Sequence, residues 1–521
     1  MTELAGRVAQ GPAIYDVIRA RLDAAGHLGD SSPVLPDDPA AASSGDIRWA
    51  AGARDGVLGH HAARVSQEEK AEEVAGLIAA AGRHPDRESL TAVYAAVSAD
   101  GPFAYVGPMM RRLGQLNASV SDVHDLGRWL ATTAPDRGAV KIGMLILGGT
   151  VLDDEDLVIL RTLGAHEEFT LYASIAIRNG LPAPDRELWA LAQVVDGWGR
   201  IQSVERLRHT TDPEIRSWIL RTGFRNTVMH EYLAHIAATT GNLAEALQHR
   251  DPDRELLTAA GEILVALVAG GPAQGIDDYT EAPAAVEAFL GHMVARAETL
   301  GDHQAVAAVE SYLAEPEGWE RRIQDGWSAV LRERLLRRCA EVLSRDLWNE
   351  RMSEGLRSDD GSVFWAAHQV ARSRGIDTFD LLLRRLAVDP FGNWWFHAWQ
   401  QVDETRARQV VDLAREVLPL AEMATGARDE LGLGVGFSAH RALDWTLQAL
   451  RNYPGVGGDL VGAALRSPVV RNRNMALNVL QAWPGAAWPR DGLEQVRHLA
   501  AADPVEGTRQ HAQEVLDKQV S

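Results

Sequence analysis

RALDWTLQALRNYP, Arg441–Pro454, and RNMALNVLQAWPG, Arg473–Gly485, are two versions of one phrase. Each runs from an arginine through apolar positions spaced three and four apart to a shared Leu-Gln-Ala, and each stops near a proline. Leu447 and Leu480 stand 33 residues apart, and a third version, TRQHAQEVLDKQV, puts Leu516 a further 36 on. That apolar spacing is the mark of a helix buried on one side. The second and third versions are each preceded by another such helix, DLVGAALRS and DGLEQVRHLAAAD. Two helices per 33 to 36 residues is the period of stacked helical pairs, in which each pair buries a face that it could not bury alone.

Upstream the same style continues with less regularity. From Ser66 onward one amphipathic segment follows another, no stretch alternates with period two, and Gly, Pro and Asp punctuate the gaps at Gly114, Gly180–Pro184, Asp251–Pro252 and Asp389–Pro390. LYASIAIR from Leu171 and RIQSVERL from Arg200 align at 29 residues, Ser174 over Ser203 and Ile175 over Val204. A short helix is expected over Ala13–Ala25, then an irregular connector, Gly26–Asp46. The expected layout is 1–65 for helix and connector, 66–269 for a first helical array, 270–345 for a central helical segment and 346–521 for the clearest repeats. A Gly-rich interruption, Ala424–Phe437, lengthens one repeat.

In these features the chain resembles the HEAT and armadillo class of helical repeats, best over Ser362–Val520 and more loosely over Val140–Val268. The mark is a helix with a basic start followed by small and aliphatic positions, as in Arg471, Ala476, Val479 and Leu480. The resemblance implies an all-α fold, a right-handed α-solenoid of antiparallel helix pairs. It implies architecture and no particular activity.

Composition narrows the function. There are 52 basic and 72 acidic residues, a formal charge of −20, which argues against nucleic acid and anionic lipid as partners. Lysine occurs only at Lys70, Lys141 and Lys518; arginine in its place, with abundant Ala and Gly, is what a GC-rich bacterial genome encodes. Cys339 is the single cysteine, so no internal disulfide and no Cys-rich zinc cluster can form. No apolar run is long enough to span a bilayer, and a cytoplasmic protein is expected.

Several motifs invite chemistry. His230, Glu231 and His235 resemble a zinc-peptidase helix, but an i, i+5 spacing splays the two imidazoles by roughly 140°. Met229, Tyr232, Leu233 and Ile236 form a buried stripe instead, so an ordinary helix over Thr227–Ala238 and no metal are expected. Asp153–Asp156 lacks the fifth-position acid of a metal-diphosphate motif and reads as a charged helix N-terminus. Gly432–Phe437 has no strand before it and no trailing Lys-Ser/Thr to make a phosphate loop.

DPFGNWWFHAWQQ, Asp389–Gln401, holds more promise. Consecutive aromatics Trp394, Trp395 and Phe396 sweep roughly 200° of a helix, so they cannot all face one core. With Trp399 and His397, with Trp365 and His368 on the equivalent helix before, and with His440 and Trp445 on the one after, they predict an aromatic and imidazole ladder. Arg334, Arg337 and Arg338 form a candidate anion-binding patch among alternating acids. The leading expectation is a scaffold that binds a protein or peptide in an aromatic-lined groove, without a cofactor. The alternatives are an enzyme or small-molecule binder with its pocket among His368, His397, Trp399 and His440, and a nucleic-acid protein resembling the HEAT-like alkylpurine DNA glycosylases.

Overall fold

The computed structural model describes residues 11–29, 33–38, 49–61, 67–98, 101–116, 118–271, 273–392, 394–432 and 435–520. All regular structure among them is helical, and the only extended pairings are two isolated bridges, Leu22 with Leu28 and Glu430 with Val469. The fold is all-α. No described helix is long and apolar enough to cross a membrane. The chain divides into two compact units, one reaching to Glu350 and one beginning at Arg351, each with its own apolar core. The helices within 270–345 continue the packing of the first unit.

In the first unit each helix of one layer lies against the helix two further along. Arg137–Leu147 packs on Glu167–Gly180, then Gly197–Glu205, Glu231–Thr240, Arg254–Ala269, Leu300–Ala314 and Ala329–Leu343. We call this the front layer; the intervening helices, such as Val120–Thr133, Asp154–Gly164 and Asp185–Val194, back it. The 29-residue echo is a physical contact: Ser174 and Ser203 are buried on neighbouring front helices, their hydroxyl oxygens 3.2 Å apart. Asp153–Asp156 makes a reciprocal capping box, and the buried Asp156 also accepts from Arg128 at 3.0 Å.

Two boundaries differ from expectation. The first helix spans only Ile14–Arg19, because the Asp23 carboxylate takes the Ala25 and His27 amides into a turn. The helix expected from Thr227 begins at Glu231, because Asn226 Oδ1 accepts from the Val228 and Met229 amides and holds that stretch in an Asx turn. Met229 consequently precedes the helix and is 39% exposed, not part of a buried stripe.

The second unit repeats the arrangement. Its front helices are Gly361–Ser373, Trp394–Trp399, Ser438–Leu450, Val470–Ala482 and Glu506–Val520, the last four packed in that order. The back helices are Phe379–Val388, Glu404–Val417, Gly458–Leu465 and Gly492–Ala502. Polar ties join each front helix to the next or to the turn that leads into it. Arg473 and Asp503, both fully buried, form a two-pronged ion pair at 2.7 and 3.0 Å. One repeat earlier His440 stands against Ser467 and Asn472, with Nδ1 2.6 Å from Asn472 Oδ1.

Removing one partner of a buried pair leaves a charge without water or counter-ion, at a cost of about 3–5 kcal/mol. Asp503→Asn should therefore destabilise the second unit by about that much, and Arg473→Met with Asp503→Leu should recover most of it. Denaturant-dependent hydrogen exchange of Val470–Ala482 in the full chain measures both; equal losses in the single and double variants would show that the charge pair is not the cause.

Candidate functional site

The aromatic residues of the second unit separate into core and surface. Trp395 is fully buried and its indole N–H donates to the Pro390 carbonyl at 2.8 Å. Trp399 is buried with its N–H 3.4 Å from Thr446 Oγ1, and Trp394 is buried with its ring edge-on to Phe364. These three fill space between helices. Phe396 is the member of the run that points out, 39% exposed.

Around Phe396 a continuous ladder crosses three front helices. Trp365 meets His397 at a tilt of 53° with ring centroids 4.4 Å apart, His397 meets Phe396 at 5.1 Å, and Phe396 meets Trp445 at 5.2 Å. Trp365, His397 and Trp445 are half-buried. Each aromatic shares its solvent-facing stripe with an amide about one turn on: Gln369 after Trp365, Gln400 after Phe396, Gln448 after Trp445. Flat apolar rings beside side-chain amides are the surface that an extended polypeptide can use, rings for its side chains and amides for its backbone groups.

His368 lies behind the ladder. It is fully buried, its Nδ1 2.9 Å from Thr378 Oγ1, and its ring centroid is 5.5 Å from that of His397. Its Nε2 and the Nδ1 of His397 have no hydrogen-bond partner among the described residues. Burial, reinforced by His397 and Arg372, lowers the His368 pKa to about 4, and burial with Arg372 lowers that of His397. Both rings are therefore neutral at pH 7. His440 belongs instead to the buried network with Ser467, Asn472 and Asp444, where Asn472 Nδ2 donates to Asp444 Oδ1 at 2.6 Å. The imidazoles thus fall into two groups, His368 with His397 and His440 apart, and Trp399 joins neither.

Each arginine of the candidate anion patch is already bonded to a neighbouring group. Arg334 donates to Glu287 at 2.6 Å, Arg337 to Glu333 at 3.2 Å, and Arg338 to the Glu287 carbonyl at 3.1 Å. His230 stands at the start of its helix against the Phe224 ring, and His235 Nε2 is 3.2 Å from the Asp278 carbonyl, so the two histidines are committed to different neighbours. An open groove of about 740 Å³ in the first unit is lined by Arg216, Arg221, His249 and Asp253 among others, and holds none of the candidate site residues expected from the sequence.

Sequence reasoning missed a polar cluster in the first unit. Lys141, buried in the front helix Arg137–Leu147, donates to Asp55 at 2.7 Å and to Glu168 at 2.6 Å, while the Tyr172 hydroxyl donates to Asp55 at 3.0 Å. Asp55 arrives on a short helix, Ala53–His61, laid over the front layer. Two glycines permit that approach: a Cβ on Gly52, at φ +70°, would lie 2.5 Å from the Glu167 carbonyl, and one on Gly56 would lie 2.3 Å from the Trp198 indole. The available signal was Lys141 itself, a lysine kept where this chain otherwise writes arginine.

No family model matches the chain, and no curated protein matches it. Among solved structures, one described as an engineered protein aligns over 87% of this chain and 99% of its own length. The identity is 14% and the TM-score 0.22, too low to say that the two share a fold.

Two measurements test these environments. Because the folded pKa of His368 lies below its ordinary 6.5, the unfolded chain binds a proton that the folded chain refuses. Its contribution to the second unit is complete above about pH 6.5 and is lost as pH falls toward 4, approaching about 3 kcal/mol. His368→Asn should flatten that slope relative to the parent in denaturant melts between pH 7.5 and 4; an unchanged slope would mean the imidazole is not held neutral. Separately, Asp55→Asn should raise hydrogen exchange in Ala53–His61 at least tenfold while leaving Glu167–Gly180 protected, and protection unchanged in both would show that the Lys141 contact does not hold the segment.

Proposed function

We propose that the chain is a non-catalytic helical-repeat scaffold of HEAT-like antiparallel pairs, wound as a right-handed solenoid, that binds an extended protein segment along the front face of its second unit. The observation that carries this reading is the exposed ladder Trp365–His397–Phe396–Trp445 with its accompanying glutamines. The repeat reading draws support from front helices that contact the next front helix, and from Ser174 meeting Ser203 at the spacing of the sequence echo. A folded chain gains nothing by leaving a phenylalanine and flanking tryptophans in water, whereas aromatic anchors commonly supply most of the affinity of an interface.

A small-molecule pocket is favoured less, since His368, His397, Trp399 and His440 do not converge on one cavity. Duplex nucleic acid is disfavoured by the −20 charge, because counterion release needs a cationic track.

The test is partner retention. Protein isolated from its own host, unaltered or as Phe396→Ala with Trp445→Ala, is compared by quantitative mass spectrometry. Truncating two anchors at the centre of an interface costs about 2 kcal/mol or more each, so retained partners should fall by well over tenfold. Because both residues are partly exposed, hydrogen exchange of Leu443 and Leu447 should hardly change. Partners kept equally by both forms would sink the reading.

A further inference from the structure

Four of the five front helices of the second unit are almost free of carboxylates. Across Gly361–Ser373, Trp394–Trp399, Ser438–Leu450 and Val470–Ala482 there is one acid, Asp444, in a chain with 72. That one is buried, bonded to Asn472 at 2.6 Å and paired with Arg471 at 3.2 Å. The four back helices, of nearly equal total length, carry six: Asp380, Glu404, Asp412, Glu416, Asp459 and Glu494. The asymmetry therefore separates these four front helices from the back layer and does not follow from the composition alone.

Three arginines are exposed on these helices: Arg372; Arg441, which donates to Ser438 Oγ at 3.0 Å; and Arg471, which meets Asp444 through its Nε. Arg372 makes no ion pair among the described residues, and it lies close enough to His368 and His397 to lower the pKa of both. The cationic character of the face is thus guanidinium, set beside flat rings and amides. Beyond it, Glu506–Val520 brings back Glu506, Glu514 and Asp517, which marks an edge.

We propose that the partner segment is acidic: an extended peptide whose carboxylates meet Arg372, Arg441 and Arg471 while its apolar side chains seat against Trp365, Phe396 and Trp445. This rests on the scaffold reading above. Guanidinium forks match carboxylates with two parallel hydrogen bonds, and a chain that is otherwise strongly negative repels acidic segments everywhere but here. Four front helices at roughly 10 Å per step span roughly 30 Å, which roughly nine residues of extended peptide cover. Nucleic acid is the less favoured polyanion, because residues 351–521 hold 19 basic and 21 acidic groups and offer no net cationic field.

The experiment selects a random dodecapeptide library on the full chain and on two variants, Arg372→Glu with Arg441→Glu and Phe396→Ala with Trp445→Ala. Enriched peptides should carry net negative charge relative to the input, and their affinity should fall at least tenfold in both variants. Peptides of neutral or positive charge that still require Phe396 and Trp445 would overturn the acidic assignment while leaving the binding face standing. Enrichment indifferent to Phe396 and Trp445, or none at all, would overturn both. Oligothymidylate of twenty nucleotides serves as the polyanion control; arginine-dependent binding of it, tighter than that of any selected peptide, would replace the peptide with a nucleic acid.

Discussion

Helix against next-but-one helix is the interaction on which each unit depends. A front helix is flanked on two sides by its neighbours in the layer and backed by the second layer, so roughly three quarters of its circumference is committed to packing. One stripe is left over. Residues on that stripe are not needed to complete the core, and what a sequence places there reports on something other than folding.

The two units use the stripe differently. In the first, Ala53–His61 covers part of it, held by Asp55 on Lys141 and brought close by Gly52 and Gly56. The covered stripe is polar and buried, with Glu168 accepting from the Gly52 amide at 3.0 Å and burial lifting the Glu167 carboxyl to about 7. In the second, described residues leave Phe396 exposed and Trp365 and Trp445 half open. Aromatic surface lies open in the one unit and beneath the chain's own helix in the other, where Trp198 is buried under Gly56.

How much of this could be read in advance follows from the range of each interaction. Helices and their pairing were legible because period and punctuation are local: the Leu447 and Leu480 phrases and the serine echo at 174 and 203 need only nearby sequence. The contact between Asp55 and Lys141 crosses 86 residues and is set by packing, which a single sequence does not display. The aromatic run was half legible. Three consecutive rings could not share a face, but which one emerges depends on where the helix starts. With the helix beginning at Trp394, Trp395 enters the core and Phe396 leaves it. The Asx turn at Asn226 shifted another helix start in the same way and exposed Met229.

The uneven repeat spacing has a physical resolution in the polar ties. Between the second and third phrases the period grows from 33 to 36 residues, and the back helix grows from eight residues in Gly458–Leu465 to eleven in Gly492–Ala502. Almost a full turn is thus absorbed behind the front layer. The front helices keep register because their joints are specified by side chains that permit one pairing: Arg473 with Asp503, in the turn that leads into the next front helix, at one joint, and His440 with Ser467 and Asn472 at the other. Apolar contacts alone would tolerate a slip along the helix axis, whereas a buried guanidinium displaced from its carboxylate would lose both hydrogen bonds without water to replace them. The joint before these has its own polar contact, the Trp399 indole N–H 3.4 Å from Thr446 Oγ1, across the same pair of front helices on which Phe396 and Trp445 keep the 5.2 Å spacing of a continuous binding surface.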